Sequence, residues 1–417
     1  MKKQLVLKKS VMAVALTLVS SQYAMAQTAP ANDENIQKVV VTGSNIKRIA
    51  SETASPVTVI RREEIQATGA STVRDVLDTL TAFDTTALKD DGGRTGFAAG
   101  ASGASMRGLG KGATLVLVNG RRISNFAFAD GGKETFVNVD SIPTDIIDRI
   151  EVLKDGASAI YGSDAMAGVI NIITRKGYQG IGLSASYKQG VSPQIGKQPL
   201  VGVIAGYGDL EKDRFNVFAN LEAYKRKGYS QADVMNEYPG WHKEFVVPSF
   251  GNVSFTSFPG NINEPAQGGA NPHPKIRQAV ASCPADRVQG GLCANDLNGL
   301  INSSDGAERL NFFSGARLKI SDTLQAFGEF SYSKTRTDYR SLPFGMAAGS
   351  PWTWFDGNAK KSQNVTKPKL AVGNPANPFN YPVGIDYRFM DDDSMWSAPS
   401  EASQYRAMAG LEGTFGA

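Results

Sequence analysis

The chain has 417 residues, 44 glycines, 9% aromatics and a formal charge of +4 at pH 7. Four lysines ahead of Gln27 account for that whole charge, so the remainder is formally neutral. This removes a general electrostatic case for a nucleic-acid partner or an anionic membrane surface. The length leaves room for two or three domains, and the glycines, without long helical periodicity in the second half, suit a turn-rich β protein.

Residues 1–26 read as a signal peptide. Lys2, Lys3, Lys8 and Lys9 make a positive start, Val11 to Val19 an apolar stretch, and Ala24-Met25-Ala26 a small-residue cleavage site. The apolar stretch is too short for a spanning helix, and no other stretch approaches the ~18–20 apolar residues one needs. The chain is therefore expected to be exported without a helical anchor. Residues 27–50 form a tail, polar to Asn35, that contains the β-branched run Val39-Val40-Val41-Thr42. Such a run either adds to the sheet edge of another chain or opens the next domain as its first strand.

Residues 51–176 read as mixed α/β. Pro56 to Ile60 is a short strand, and Ser71 is a candidate N-cap for a helix with Val73, Val76, Leu77 and Leu80 on one face. Ala113 to Val118 is a buried strand closing on the turn dipeptide Asn119-Gly120. The glycines around Arg107-Gly108 do not make a phosphate loop, because Gly110-Lys111 is followed by Gly112 rather than Ser or Thr. A strand rather than a helix follows them, which excludes a dinucleotide fingerprint. In Ile147 to Lys176, Ile150, Val152 and Leu153 form a strand and Asp155-Gly156 a turn. Gly162, after Tyr161, and Gly168 allow close backbone approach, and Val169 to Ile173, which includes Asn171, is a second strand.

Three segments in order carry a resemblance: Ser105 to Gly110, Val118 to Arg122, and Ile147 to Lys176. Together they resemble the plug domain of TonB-dependent outer-membrane receptors. The resemblance implies a mixed α/β plug domain over 51–176, followed over 177–417 by antiparallel transmembrane β-barrel strands. It places Arg107, Gly108, Asn119, Gly120, Arg121, Asp155, Gly156, Tyr161, Gly162, Gly168 and Asn171 in plug motifs. It also puts Val39, Val40, Val41 and Thr42, in a periplasmic tail, where such receptors carry the TonB box. The partners it implies are TonB of the inner-membrane energising complex, a small-molecule or oligosaccharide ligand, and outer-membrane lipid. No cofactor, metal or catalytic residue is expected.

Beyond Gly177 the hydrophobic period becomes two. Phe215, Val217, Ala219 and Leu221 alternate with Asn216, Asn220 and Glu222, with Phe218 interrupting. Leu310, Phe312, Ala316, Leu318 and Ile320 oppose Asn311, Arg317 and Lys319, while Leu324, Ala326, Phe330 and Tyr332 oppose Gln325, Glu329, Ser331 and Ser333. Leu183 to Tyr187, Val201 to Tyr207 and Tyr405 to Leu411 repeat the theme. An apolar face toward lipid and a polar face toward a lumen that tolerates charge is the pattern of a barrel wall. Tyr187, Tyr207, Tyr224, Tyr332 and Tyr405 suit aromatic girdles. Short turns at Asp209–Asp213 and Ser321–Thr323 alternate with long irregular stretches from Tyr229 to Ala307 and Tyr339 to Ala402, as periplasmic turns alternate with extracellular loops.

About six strands are expected. A barrel around a plug needs many more, as in ~22-stranded plugged transporters, so the barrel is expected to be incomplete in this chain, an N-terminal part of a longer receptor. Cys283 and Cys293 lie close together in a polar loop and are expected to form a disulfide. His242 and His273 have no metal-ligand spacing to them. Trp241, Phe245, Phe250, Phe255 and Phe258 in one loop, and Trp352, Trp354 and Phe355 in another, either stack on a ligand or pack the loops. The expected function is energised import of a scarce ligand, a siderophore, oligosaccharide or similar. The alternative is a passive outer-membrane channel or surface-binding protein.

Overall fold

The computed structural model describes residues 57–85, 98, 100–190, 195–237, 253–268, 272–300, 302–340, 342–347, 352–356, 358, 360–365, 369–390 and 397–414. The expected signal peptide and the segment Val39 to Thr42 lie outside these residues, as do Trp241, Phe245 and Phe250.

The plug contains β1 (Val57–Arg61), α1 (Arg62–Ala67), α2 (Val73–Asp78), β2 (Thr114–Val118), β3 (Arg121–Arg122), β4 (Ile147–Leu153), α3 (Ser158–Tyr161) and β5 (Gly168–Thr174). Its five strands form one sheet in the order β1-β4-β5-β2-β3, with only the β2–β5 pair parallel. The β2 sequence Thr-Leu-Val-Leu-Val has no polar face, and all five residues are buried. Even-numbered Val116, Val118, Ile150, Val152, Ile170 and Ile172 pack with Val73, Val76 and Leu77 of α2. Leu115, Leu117, Leu153 and Val169 pack on the other face with Ala157 and Ala165. Thus the period-two pattern is used on both sides of the sheet.

Thr72, not Ser71, caps α2. Its hydroxyl accepts from the Asp75 amide at 3.2 Å, and the Asp75 carboxylate accepts from the Thr72 amide at 3.0 Å. An acid three residues after Thr72 closes a reciprocal capping box that Ser71 does not have. Ser71 instead is buried and lies 2.8 Å, Oγ to Oγ, from Ser186.

The remaining strands include β6 (Gly180–Lys188), β7 (Gln198–Tyr207), β8 (Phe215–Arg226), β9 (Asn261–Glu264), β10 (Ile276–Ala279), β11 (Gly306–Lys319), β12 (Leu324–Arg340), β13 (Val383–Arg388) and β14 (Ser397–Gly413). Six of them form an antiparallel wall in the order β6-β7-β8-β11-β12-β14. Among the described residues the wall is open, with β6 and β14 each paired on one side only. Its parity follows the sequence: Val217 and Leu221 are exposed, while Asn216, Asn220 and Glu222 are buried.

Three expectations about the wall need correction. The inward face of β8 is polar, but it packs on the plug instead of lining an open lumen; Asn220 has no accessible surface. Tyr224 shares the inward parity of Asn220 and Glu222, so it belongs to no girdle; it is buried beneath the Arg309 guanidinium, 5.0 Å from its ring centre. Finally, β12 and β14 pair as far as Arg340 with Ser397, so the second long connection is 341–396. The polar and small residues of Ser397 to Gln404 offer no apolar alternation to read, yet their backbone completes the ladder.

The long connections are not irregular throughout. β9 pairs with β10 and β13, and β13 also pairs with Gly345–Met346 and Lys369–Leu370, so the two connections share one small sheet, the cap. Ile262, Val280, Val383 and Ile385 form its core. Arg388 donates to the carbonyls of Thr256 at 3.0 Å and Pro343 at 2.5 Å, tying one connection to the other. Cys283 and Cys293 are bonded, with α-carbons 5.8 Å apart. Asn261 clamps the buried Cys293, accepting from its amide at 2.6 Å and donating to its carbonyl at 2.8 Å. Phe258 lies edge-on to Tyr387 with ring centres 5.8 Å apart, so this loop aromatic packs the loops themselves.

Candidate functional site

The plug sits against the inward face of the wall, and the seam between them is the candidate site. Its plug side begins at the hairpin between β2 and β3. Asn119 and Gly120 both have positive φ, 53° and 74°, which is the backbone of a type I′ turn and explains the Asn-Gly pair. The turn is fastened from two sides. The Gly120 amide donates to the Asn171 side chain at 2.8 Å, and Asn119 donates to Thr174 and to Glu329 of β12, both at 2.8 Å. Asn171 in turn donates to Glu151 at 3.3 Å, its register partner across β4 and β5. Glu151 is 1% exposed and is held by Arg149 at 2.9 Å. The conspicuous Asn residues therefore link the plug sheet to the wall through one hydrogen-bond chain.

The other motif residues occupy the same domain with distinct placements. Arg107, followed by Gly108, pairs with Asp155 at 3.3 Å, and Gly156 continues the turn after β4. The Tyr161 carbonyl accepts from Arg122, which also pairs with Asp164, and Gly162 closes α3. Gly168 starts β5 at φ +148°, and a Cβ there would strike the Leu153 carbonyl and the Met106 thioether. The Arg121 guanidinium lies 4.9 Å from the Phe327 ring centre, a cation–π contact from plug to wall.

On the β8–β11 side the seam is charged and buried. Arg309 and Asp140 lie 3.6 Å apart, each with 2% of its side chain exposed. Asn311 donates to the Asp140 carbonyl at 3.0 Å and to Glu222 at 3.1 Å, and accepts from Ser333 at 2.7 Å. Below them Phe218 and Phe313, with ring centres 5.8 Å apart, join the plug core together with Ile204. The aromatic that interrupts the polar alternation of β8 is thus an anchor for the plug. At β6, Lys188 pairs with Asp75 and Ser184 donates to Asp145. Asp140, Arg309, Asn311 and Glu329 were not picked out as site residues from the sequence; the inward parity of the wall strands was the signal for the last three.

On the β12–β14 side the seam is looser. Arg406 pairs with Glu329 at 3.1 Å, and Gln404 donates to the Ser124 hydroxyl at 2.7 Å and carbonyl at 3.1 Å. Near this side the plug loop from Phe126 to Phe136 is clasped by Lys111, whose ammonium lies 2.8 Å from both Asp130 and Glu134. Burial pulls Lys111 down, but the hydrogen bonds it donates to both carboxylates outweigh it and hold its pKa above the ordinary value. Burial likewise pushes Glu134 up, and the bonds from Lys111 and the Gly112 amide bring it below its ordinary value. No group of three or more His, Cys, Asp or Glu that could hold a metal ion occurs among the described residues.

A family model described as the TonB-dependent receptor plug domain matches residues 50–169. The vitamin B12 transporter BtuB of Vibrio vulnificus (strain CMCP6) is 36% identical over 170 residues, covering 40% of this chain and 25% of that protein. The iron-regulated outer membrane virulence protein of Vibrio cholerae serotype O1 is 34% identical over 176 residues, 40% of this chain and 24% of that one. A mutant of the ferric enterobactin receptor PfeA from Pseudomonas aeruginosa superposes with a TM-score of 0.44 at 16% identity, covering 69% of this chain and 34% of that structure. The chain spans about a quarter of the length of the two curated relatives named here. The plug sheet with its three motifs in order lies largely within the matched residues, so residues 50–169 are a plug domain of the TonB-dependent receptor kind, and the chain as a whole is similar to TonB-dependent outer-membrane receptors.

Proposed function

We propose that the protein is an active importer, in which the plug blocks a barrel until the inner-membrane TonB complex pairs with the segment Val39 to Thr42 and pulls. In this reading residues 1–26 are a signal peptide, 27–50 a periplasmic tail, 51–176 the plug and 177–417 part of the barrel. Ligand binds from outside, between the folded cap and the plug. One observation carries the reading: a compact plug held by hydrogen bonds to the polar face of a wall whose other face is apolar. A stopper fastened in this way by paired polar contacts needs an input of work to move, whereas a passive channel needs no stopper. The names of the relatives mention vitamin B12 and iron regulation. Their similarity covers about a quarter of each protein and does not carry those ligands over to this chain. The test is ligand accumulation by cells carrying the full-length gene, with and without a protonophore. Accumulation is expected to collapse with the proton-motive force; accumulation that ignores the protonophore would favour a passive channel.

A further inference from the structure

The two sides of the seam differ in chemistry. A cavity of about 220 Å³ opens between the plug loop at Ser124, Asn125 and Phe126 and the inward residues Ser333, Thr335 and Gln404 of β12 and β14, with Asn138 at its back. Gln404 ties the loop to the wall beside the cavity through its two bonds to Ser124. Among the described residues, none that lines the cavity carries a charge. The ion pairs of the seam lie elsewhere, at Arg309–Asp140, Lys188–Asp75 and Arg406–Glu329.

We propose that this cavity binds one uncharged, hydroxyl-rich ring of the imported molecule, a pyranose unit, between plug and wall. The proposal rests on the importer reading and names its substrate class. Hydroxyl and carboxamide side chains both donate and accept, as do sugar hydroxyls, so a sugar can replace the water it displaces. An anion entering here would lose hydration with no countercharge to meet it. A wholly apolar ligand would strip water from Ser124, Asn125, Thr335 and Gln404 and return no hydrogen bonds. Phe126 supplies one apolar face for the C–H face of the ring, steadied by Phe136 and Phe128 at 5.8 and 6.2 Å between ring centres. The volume is below the ~300–1,000 Å³ of sites for drug-sized ligands, which limits occupancy to about one ring at a time.

The test is calorimetry on the purified full-length receptor with maltotriose, cellotriose, xylotriose and chitotriose, and with ferric citrate as the anionic comparator. At least one neutral oligosaccharide should bind, and ferric citrate should not compete. Thr335→Leu and Asn125→Leu, which fill the cavity with apolar bulk, should each weaken that binding by about ten-fold or more, and Thr335→Ser should retain it. Asn125 lies on an exposed loop, so its variant keeps the test alive if Thr335→Leu does not fold. Failure of all four sugars to bind, or binding that both filled variants leave within about two-fold of the parent, overturns the proposal. Protonophore-sensitive uptake of another ligand, unaffected by either filled variant, would overturn the site and leave the importer standing. Sugar binding that depends on the cavity, in a receptor whose uptake ignores the protonophore, would support the site and remove the importer.

Discussion

Arg309 and Asp140 show how far a single contact reaches in this molecule. Both side chains are buried, one on the wall and one on the plug, and Asn311 on the same strand contacts Asp140 from 171 positions away in sequence. Breaking a buried pair by removing one partner leaves a charge uncompensated. Arg309→Leu should therefore lower stability by about 3–5 kcal/mol in denaturant titrations, with Asp140→Asn added to it recovering part of the loss. No loss in the single variant would remove the pair from the seam. The Lys111 clasp behaves differently because it titrates at both ends. Glu134 is held below its ordinary 4.5, so its contribution is complete above that value and is lost as pH falls through the lowered one. Lys111 is held above its ordinary 10.5, so its contribution is complete below that value and is lost only as pH rises past the raised one. Hydrogen exchange of the loop from Phe126 to Phe136, corrected for intrinsic rate, should be flat between those two pH values and should quicken only as pH falls below Glu134's ordinary 4.5. Exchange that quickens already near neutrality would contradict the clasp. Asn119, Gly120 and Asn171 were legible because local turn chemistry and a linear motif carry them. Asp140 was not, because nothing near it in sequence reveals its partner.

At the scale of elements, the alternation in β8 predicts a sharp asymmetry, since a slip of one residue would reverse the whole strand. Val217→Arg, on the outward face, should cost roughly 2–4 kcal/mol if it sits near the bilayer midplane, read from unfolding of the inserted receptor. An unchanged transition would put that face against something other than lipid. Asn220 should not accept a charge either, since the plug covers it completely. The period-two pattern announced the wall strands and their facing correctly, including the outward Ala407, Ala409 and Leu411 of β14. It was silent about what the inward face meets, which is why Phe218 read as an interruption and Tyr224 as a girdle residue. The cap escaped notice for a related reason: strands as short as Asn261–Glu264 and Val383–Arg388 are too brief for a period to register, and their pairing joins connections far apart in sequence. The disulfide between Cys283 and Cys293 was expected from proximity in a loop of an exported chain, but the Asn261 clamp behind it was not.

For the whole molecule, the seam is where the proposed movement of the plug would have to begin. It is sealed by buried charge and aromatic packing along β6 to β11, and it opens into a cavity along β12 and β14. Among the described residues the six-stranded wall leaves β6 and β14 with unpaired edges, and lipid offers backbone groups no partners, so the sheet spans a bilayer only when other strands close it. In the importer proposed above, plug and wall together would make a gate, and such a gate needs a handle. The proposed handle is the segment around Val40, which would add to a sheet edge of TonB through its backbone donors. Proline removes one donor and fixes φ, so Val40→Pro should uncouple the gate without touching the ligand site. The decisive measurement is energised ligand uptake and ligand binding, made side by side on cells carrying correctly inserted full-length receptor with Val40→Pro. The importer account predicts uptake abolished and binding intact; uptake equal to that of the parent receptor would contradict it.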